Sequence, residues 1–159
     1  MFHKVLAAVD DSGIGKQAFE QALALTKMMN AQLMLIYVQA PFESAYPNQA
    51  FPFESTYPGA SSEAFKIQME AWETHQHRGA QLLQASVDAA IAAGVDAESI
   101  QPLGNPGQTI CEFAKTWGAD LIVIGRRGHT GLDELIVGSV SNYVVHHAPC
   151  SVLTVQGME

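Results

Sequence analysis

Residues 120–141 read Asp-Leu-Ile-Val-Ile-Gly-Arg-Arg-Gly-His-Thr-Gly-Leu-Asp-Glu-Leu-Ile-Val-Gly-Ser-Val-Ser, from Asp120 to Ser141. The branched apolar run Leu121–Ile124 has the composition of a strand buried on both faces. It stops at Gly125; Gly128 follows, then nine residues, then Gly138-Ser139 at the head of a helical pattern running to His147. Glycines at a strand end and a helix start let backbone N–H groups approach a ligand, because no Cβ intervenes. The helix N-terminus adds unpaired donors and partial positive charge, which favour an anion. Ser139 suits the helix cap and can also donate its hydroxyl to a phosphate oxygen. The stretch therefore reads as a phosphate cradle.

Working outward, the rest of the chain supplies a frame for that cradle. His3–Val9 is a short apolar strand closed by Asp10-Asp11-Ser12-Gly13, which predicts a helix starting near Gly13. Ile14, Ala18, Ala22, Leu25 and Met29 form its buried stripe, and Gln32–Val38 is the second strand. The segment of about 39–63 holds four prolines and several aromatics without periodicity, so it is expected to be a long irregular insertion, in a lid, dimer-contact or mobile-loop role. Helix resumes from about Ala64 to Ala93, with Trp72, Leu82, Leu83, Val87, Ala90 and Ile91 facing inward, and ends at Gly94. Ala97–Leu103 is a weak edge strand; a helix through Ile110, Phe113, Ala114 and Trp117 precedes the strand at Leu121. Ser151–Val155 is the last strand. The expected fold is a single domain over 1–159, α/β, with a doubly wound five-stranded parallel sheet and helices on both faces. In such a sheet the loops carrying Asp10 and Gly125 face one crevice if their strands are neighbours.

Composition narrows the function. A net charge of −8 argues against nucleic acid or an anionic membrane surface as the main partner. The start of the chain lacks a signal-peptide pattern and no apolar run approaches bilayer-spanning length, so a cytoplasmic protein without a membrane span is expected. Cys111 and Cys150 have no CxxC spacing and read as reduced core thiols. His75 and His77 are two apart on a helix, so they point to different faces and make a poor metal pair. Neither a catalytic triad pattern nor zinc spacing emerges, so no catalytic residue is assigned. A Walker A loop fails because Gly15-Lys16 is followed by Gln17, and Asp10-Asp11-Ser12-Gly13-Ile14-Gly15 is not a dinucleotide fingerprint.

Gly125-x-x-Gly128, nine residues, then Gly138-Ser139 resembles the glycine motif of the ATP-binding universal stress proteins. Val5–Ser12, Gly118–Gly125 and Ala148–Val155 resemble that family's first, fourth and fifth strands with their loops. The resemblance implies an adenine-nucleotide site for ATP, ADP or AMP, with Mg²⁺ accompanying ATP. In it Ala8 and Val9 line the adenine side, and Val38 offers its backbone to the base. Asp10 approaches ribose or a phosphate-bound metal. Ile124, Gly125, Arg127 and Gly128 lie under ribose and phosphates; Gly138, Ser139, Val140 and Ser141 wrap the β- and γ-phosphates. It also implies a homodimer paired through strand 151–155. Asp10 fits a helix cap equally well, and Arg126 and Arg127 fit either phosphate contact or a solvated loop. Three functions follow: a nucleotide-dependent stress-signalling dimer, a weak ATPase or phosphotransferase using the same cleft, and a nucleotide-free interaction module. The intact glycine spacing disfavours the last.

Overall fold

The computed structural model describes residues 1–42, 60–126 and 138–157. Five strands, β1 (Lys4–Ala8), β2 (Gln32–Ile36), β3 (Ala97–Ile100), β4 (Leu121–Arg126) and β5 (Ser151–Gln156), form one sheet in the order β3-β2-β1-β4-β5. Every pairing is parallel, so each connection must cross over the sheet, and helices do this. They are α1 (Gly13–Met29), α2 (Ala60–Ala92), α3 (Pro106–Trp117) and α4 (Ser139–His147). The expected doubly wound α/β sheet is the observed fold.

Alternation along the strands divides the core in two. Val5 and Ala7 of β1, Leu33 and Leu35 of β2 and Leu121 and Val123 of β4 pack under α1 and α2. Leu6, Met34, Ile36, Ile122 and Ile124 face the other way, against Ile110, Cys111 and Ala114 of α3 and Val144 of α4. Each central strand is thus apolar on both faces, as the run Leu121–Ile124 requires. At the opposite end from the cradle, the Asp120 carboxylate accepts the backbone N–H groups of His3 at 2.7 Å and Lys4 at 3.0 Å, locking β4 to β1.

Local chemistry sets the helix limits. Ser12 caps α1, its Oγ accepting Gly15 N–H at 3.0 Å, an arrangement worth about 1 kcal/mol. Asn30 ends α1 in the left-handed conformation at φ 52°. Asn105 caps α3 and Pro106 occupies its first turn, where a missing N–H costs nothing.

Several expectations need correction. The fully buried positions of α1 are Gly15, Ala18, Ala22 and Thr26; Ile14, Leu25 and Met29 flank them, half-buried. Thr26 is tolerated inside because its hydroxyl donates to Ala22 O at 2.6 Å. Ile91 is 58 % exposed and not part of the inward stripe of α2. The expected insertion at 39–63 is shorter at both ends, since Gln39 pairs with Leu103 in an isolated parallel bridge and α2 already begins at Ala60. Residues 43–59 of it lie outside the described residues. Ser139 does not cap α4: Gly138 holds the cap position at φ 96° with no side-chain cap bond.

Candidate functional site

Strand order reverses between β1 and β4, which are hydrogen-bonded neighbours with Ala8 beside Ile124. The chain leaves the two strands in opposite directions there, opening a crevice at their carboxyl ends. A cavity of about 370 Å³ occupies it, within the range of small-molecule sites. From the β1 side it is lined by Ala8, Val9 and Asp10, from β2 by Val38, and from β4 by Ile124 and Gly125. Gly138, Ser139, Val140 and Ser141 close it from the start of α4. Arg127 and Gly128, the other two residues expected at the site, lie outside the described residues.

Val38 sits just past the end of β2. Residues Tyr37 and Gln39 turn their backbone toward β3, with Tyr37 N–H on Ile100 O at 3.1 Å and Gln39 N–H on Pro102 O at 3.1 Å. Ile36 turns the other way, its carbonyl accepting Val9 N–H at 3.0 Å. By the same alternation the N–H and C=O of Val38 point toward the β1 side. The chain beyond Val9 has already turned into the Asp10 loop, so among the described residues both groups make no hydrogen bond. The result is an adjacent donor and acceptor at the rim of the cavity, beside the apolar side chains of Ile36 and Ile110 and the ring of Pro106.

The Asp10 loop is tightly built. Asp10 Oδ1 accepts Ser12 N–H at 3.0 Å and also the Ser12 hydroxyl. Asp10 therefore braces the cap residue and is not the cap; Oδ2 has no partner among the described residues. Gly15 is required beneath it, because a Cβ there would stand 2.7 Å from Asp10 O and 2.9 Å from Asp10 N. A Cβ on Gly125 would stand 2.5 Å from Ile14 Cγ2, so that glycine is needed for close approach of α1 to β4 as well as for an open cavity floor. At α4 the N–H groups of Ser139, Val140 and Ser141 belong to a first turn without a capping side chain, and Ser141 Oγ turns back to Gly138 O at 3.1 Å. Among the described residues these donors have no partner, and the turn presents the positive end of the helix dipole.

Spacing alone did not bring out Ser12, Ile14, Gly15, Ile36, Pro106 and Ile110, which also line the cavity. A signal for Pro106 and Ile110 existed in Gly104-Asn105-Pro106, a helix-start signature after a strand, which places a helix N-terminus at the same end of the sheet.

Other reactive groups are committed elsewhere. Burial pushes the Cys111 thiol up, with Glu112 adding to it; burial likewise raises Cys150, aided by Asp120 and Cys111. Both are free cysteines held away from the thiolate form. His75 Nε2 meets Tyr37 Oη at 3.0 Å and His77 Nε2 meets Gln81 Nε2 at 3.3 Å, so the two histidines serve separate contacts. Burial, then Asp11 and Asp10, raise the Tyr37 phenol. Among the described residues no helix is long and apolar enough to cross a membrane.

Comparison with known proteins gives a consistent result. The profile of the Universal stress protein family matches residues 1–156. A universal stress protein from Synechocystis is 40% identical over 158 residues, covering 98% of both chains. Among solved structures, a universal stress protein family protein from Arabidopsis thaliana with AMP bound is 26% identical at a TM-score of 0.64, covering 98% of this chain and 92% of that one. A universal stress protein in complex with cAMP is 24% identical at a TM-score of 0.66, covering 97% of each chain.

Proposed function

Because the chain belongs to the universal stress protein family, we propose that it binds an adenine nucleotide in the β1/β4 cleft and signals its nucleotide state as a homodimer. ATP with Mg²⁺, ADP and AMP are the ligands in view. One observation carries the reading: among the described residues, the cavity has an unpaired backbone donor and acceptor at Val38 and a helix N-terminus without a side-chain cap at Gly138–Ser141. The first matches a base edge and the second matches phosphate. The Val38 N–H donates to adenine N1, and its carbonyl accepts from the 6-amino group. Ile36, Pro106 and Ile110 supply the apolar surface on which a base ring is desolvated. Asp10 Oδ2 is available to a ribose hydroxyl or to Mg²⁺. Ser139–Ser141 N–H groups meet the phosphates, and the glycine-motif residues Arg127 and Gly128 are proposed as further phosphate contacts. The AMP bound to the Arabidopsis relative supports the adenine-nucleotide class.

Hypoxanthine inverts the edge, carrying N1–H as donor and O6 as acceptor, so it meets Val38 donor to donor and acceptor to acceptor. Competition titration should therefore find AMP bound more tightly than IMP by at least roughly tenfold, the worth of about one hydrogen bond. Equal affinities would remove the base-reading role of Val38.

The dimer rests on β5. It is an edge strand of sequence Ser-Val-Leu-Thr-Val-Gln, without charge or proline, and Leu153 is 36 % exposed. The other edge, β3, is only four residues long and carries Glu98. Charge and brevity protect an edge against pairing; β5 has neither, so a second copy paired at residues 151–155 is the fitting cover. Light scattering at micromolar concentration should give twice the chain mass of 17.1 kDa. A monomer mass would contradict this.

A further inference from the structure

Gln39 is polar, yet only 3 % exposed, and it is the residue that follows the base-reading edge. All of its groups are engaged. Its N–H donates to Pro102 O at 3.1 Å and its carbonyl accepts Gly104 N–H at 3.0 Å. Its Nε2 donates to Trp72 O of α2 at 3.2 Å, and its Oε1 accepts from Gln101 Nε2 at 3.5 Å. Two neighbours close the same knot: Trp72 Nε1 donates to Ala40 O at 3.0 Å, and Gln101 Nε2 donates to Gln76 O at 2.9 Å. A buried side-chain amide with this many specific partners fixes one local geometry, because any slip leaves a polar group unsatisfied.

That geometry bears directly on Val38. The Val38 carbonyl and the Gln39 N–H belong to one planar trans peptide unit, so they point in opposite directions. Holding Gln39 N–H on Pro102 O therefore aims the Val38 carbonyl at the cavity. The side chain of Gln39 then ties that peptide plane to α2, a helix of 33 residues. At 1.5 Å per residue α2 is about 50 Å long, whereas a five-residue strand spans about 17 Å. The first half of the helix, where Trp72 sits, is anchored to the sheet through this knot and through the Tyr37–His75 bond.

We infer that Gln39 is a positioning residue that sets the base selectivity of the cleft, and that Trp72 couples the long helix to that selectivity. This rests on the adenine reading of Val38. Displacing the first half of α2 rotates the 38–39 peptide and weakens discrimination at position 6 of the purine, while phosphate binding at α4 is untouched. The knot thereby gives α2 a route for modulating which nucleotide is held.

The test compares AMP with IMP affinities, and separately the affinity for inorganic tripolyphosphate, in the full chain and in Gln39→Leu and Trp72→Phe. Gln39→Leu should lower the AMP-to-IMP ratio by roughly tenfold, the loss of about one well-aimed hydrogen bond. Trp72→Phe keeps the packing, loses the bond to Ala40 O, and should lower the ratio by about threefold. Tripolyphosphate affinity should change less than about twofold in both. Folded variants with the wild-type ratio would overturn the inference, as would an equal loss of tripolyphosphate binding. If Gln39→Leu does not fold, Trp72→Phe alone decides. A wild-type protein that fails to distinguish AMP from IMP overturns the adenine reading itself and this inference with it; unchanged variants of a discriminating wild type overturn only the role of the knot.

Discussion

Gly15→Ala should lose nucleotide binding and melt roughly 5–10 °C below the wild type. The alanine Cβ would stand 2.7 Å from Asp10 O and 2.9 Å from Asp10 N, both backbone atoms, besides overlapping Asp10 Oδ1. Backbone cannot swing aside as a side-chain end can, so either α1 lifts from the sheet or the Asp10 loop moves. Overpacking of this kind costs about 2–3 kcal/mol, and in a chain of this size each kcal/mol is worth about 2–4 °C. Movement of the loop also breaks the bonds from Ser12 to Asp10 and the cap bond from Gly15 to Ser12. Helix start and cavity wall are thus one unit, and stability and binding should fall together. Thermal melting with and without ATP–Mg²⁺ checks this; a variant that melts like wild type and still gains stability from ATP would contradict the packing described at Gly15.

The layered core and the sheet were legible because both rest on alternation. Leu121–Ile124 is apolar without a break, as a strand covered on both faces requires, and all four residues are buried. Gly94, Pro106 and Gly118 lie at helix limits for backbone reasons that a sequence carries openly. Asp10, Val38, Gly125 and Gly138–Ser141 meet at one cavity because parallel strands must all end on the same side.

What stayed hidden depends on partners distant in sequence. Gln39 is a polar residue that becomes buried only because Trp72 O and Gln101 are in place to satisfy it. No local pattern announces such a partner. The glycine motif was read as room for a ligand, yet its members have separate causes. Gly125 admits Ile14 of α1 at a distance no Cβ allows, and Gly138 holds a left-handed φ of 96°. The cap at α4 was misread for a related reason: Ser139 has the right side chain, but the left-handed residue before it takes the cap position. A serine cap would satisfy the helix internally, whereas glycine leaves the first-turn N–H groups to a ligand.

That turn makes Gly138→Val a strongly damaging change for the proposed phosphate binding. A branched residue at φ 96° is disfavoured by about 1–2 kcal/mol. Relief of that strain turns the first N–H groups of α4 out of line with the phosphates and puts two methyl groups into the cradle. Ser141, whose Oγ lies 3.3 Å from the position of the added Cβ, is pressed as well. Affinity for ATP–Mg²⁺ should drop by at least roughly a hundredfold, about 2.7 kcal/mol, whereas melting in the absence of nucleotide should shift only by about 2–8 °C.

Isothermal titration of the dialysed wild-type protein with ATP–Mg²⁺, beside Gly138→Val under identical conditions, tests the nucleotide-binding claim most directly. Saturable binding at one site per chain, abolished or weakened at least about a hundredfold in the variant, is the predicted result. No binding by the wild type up to about millimolar ATP, or equal binding by both proteins, would contradict it.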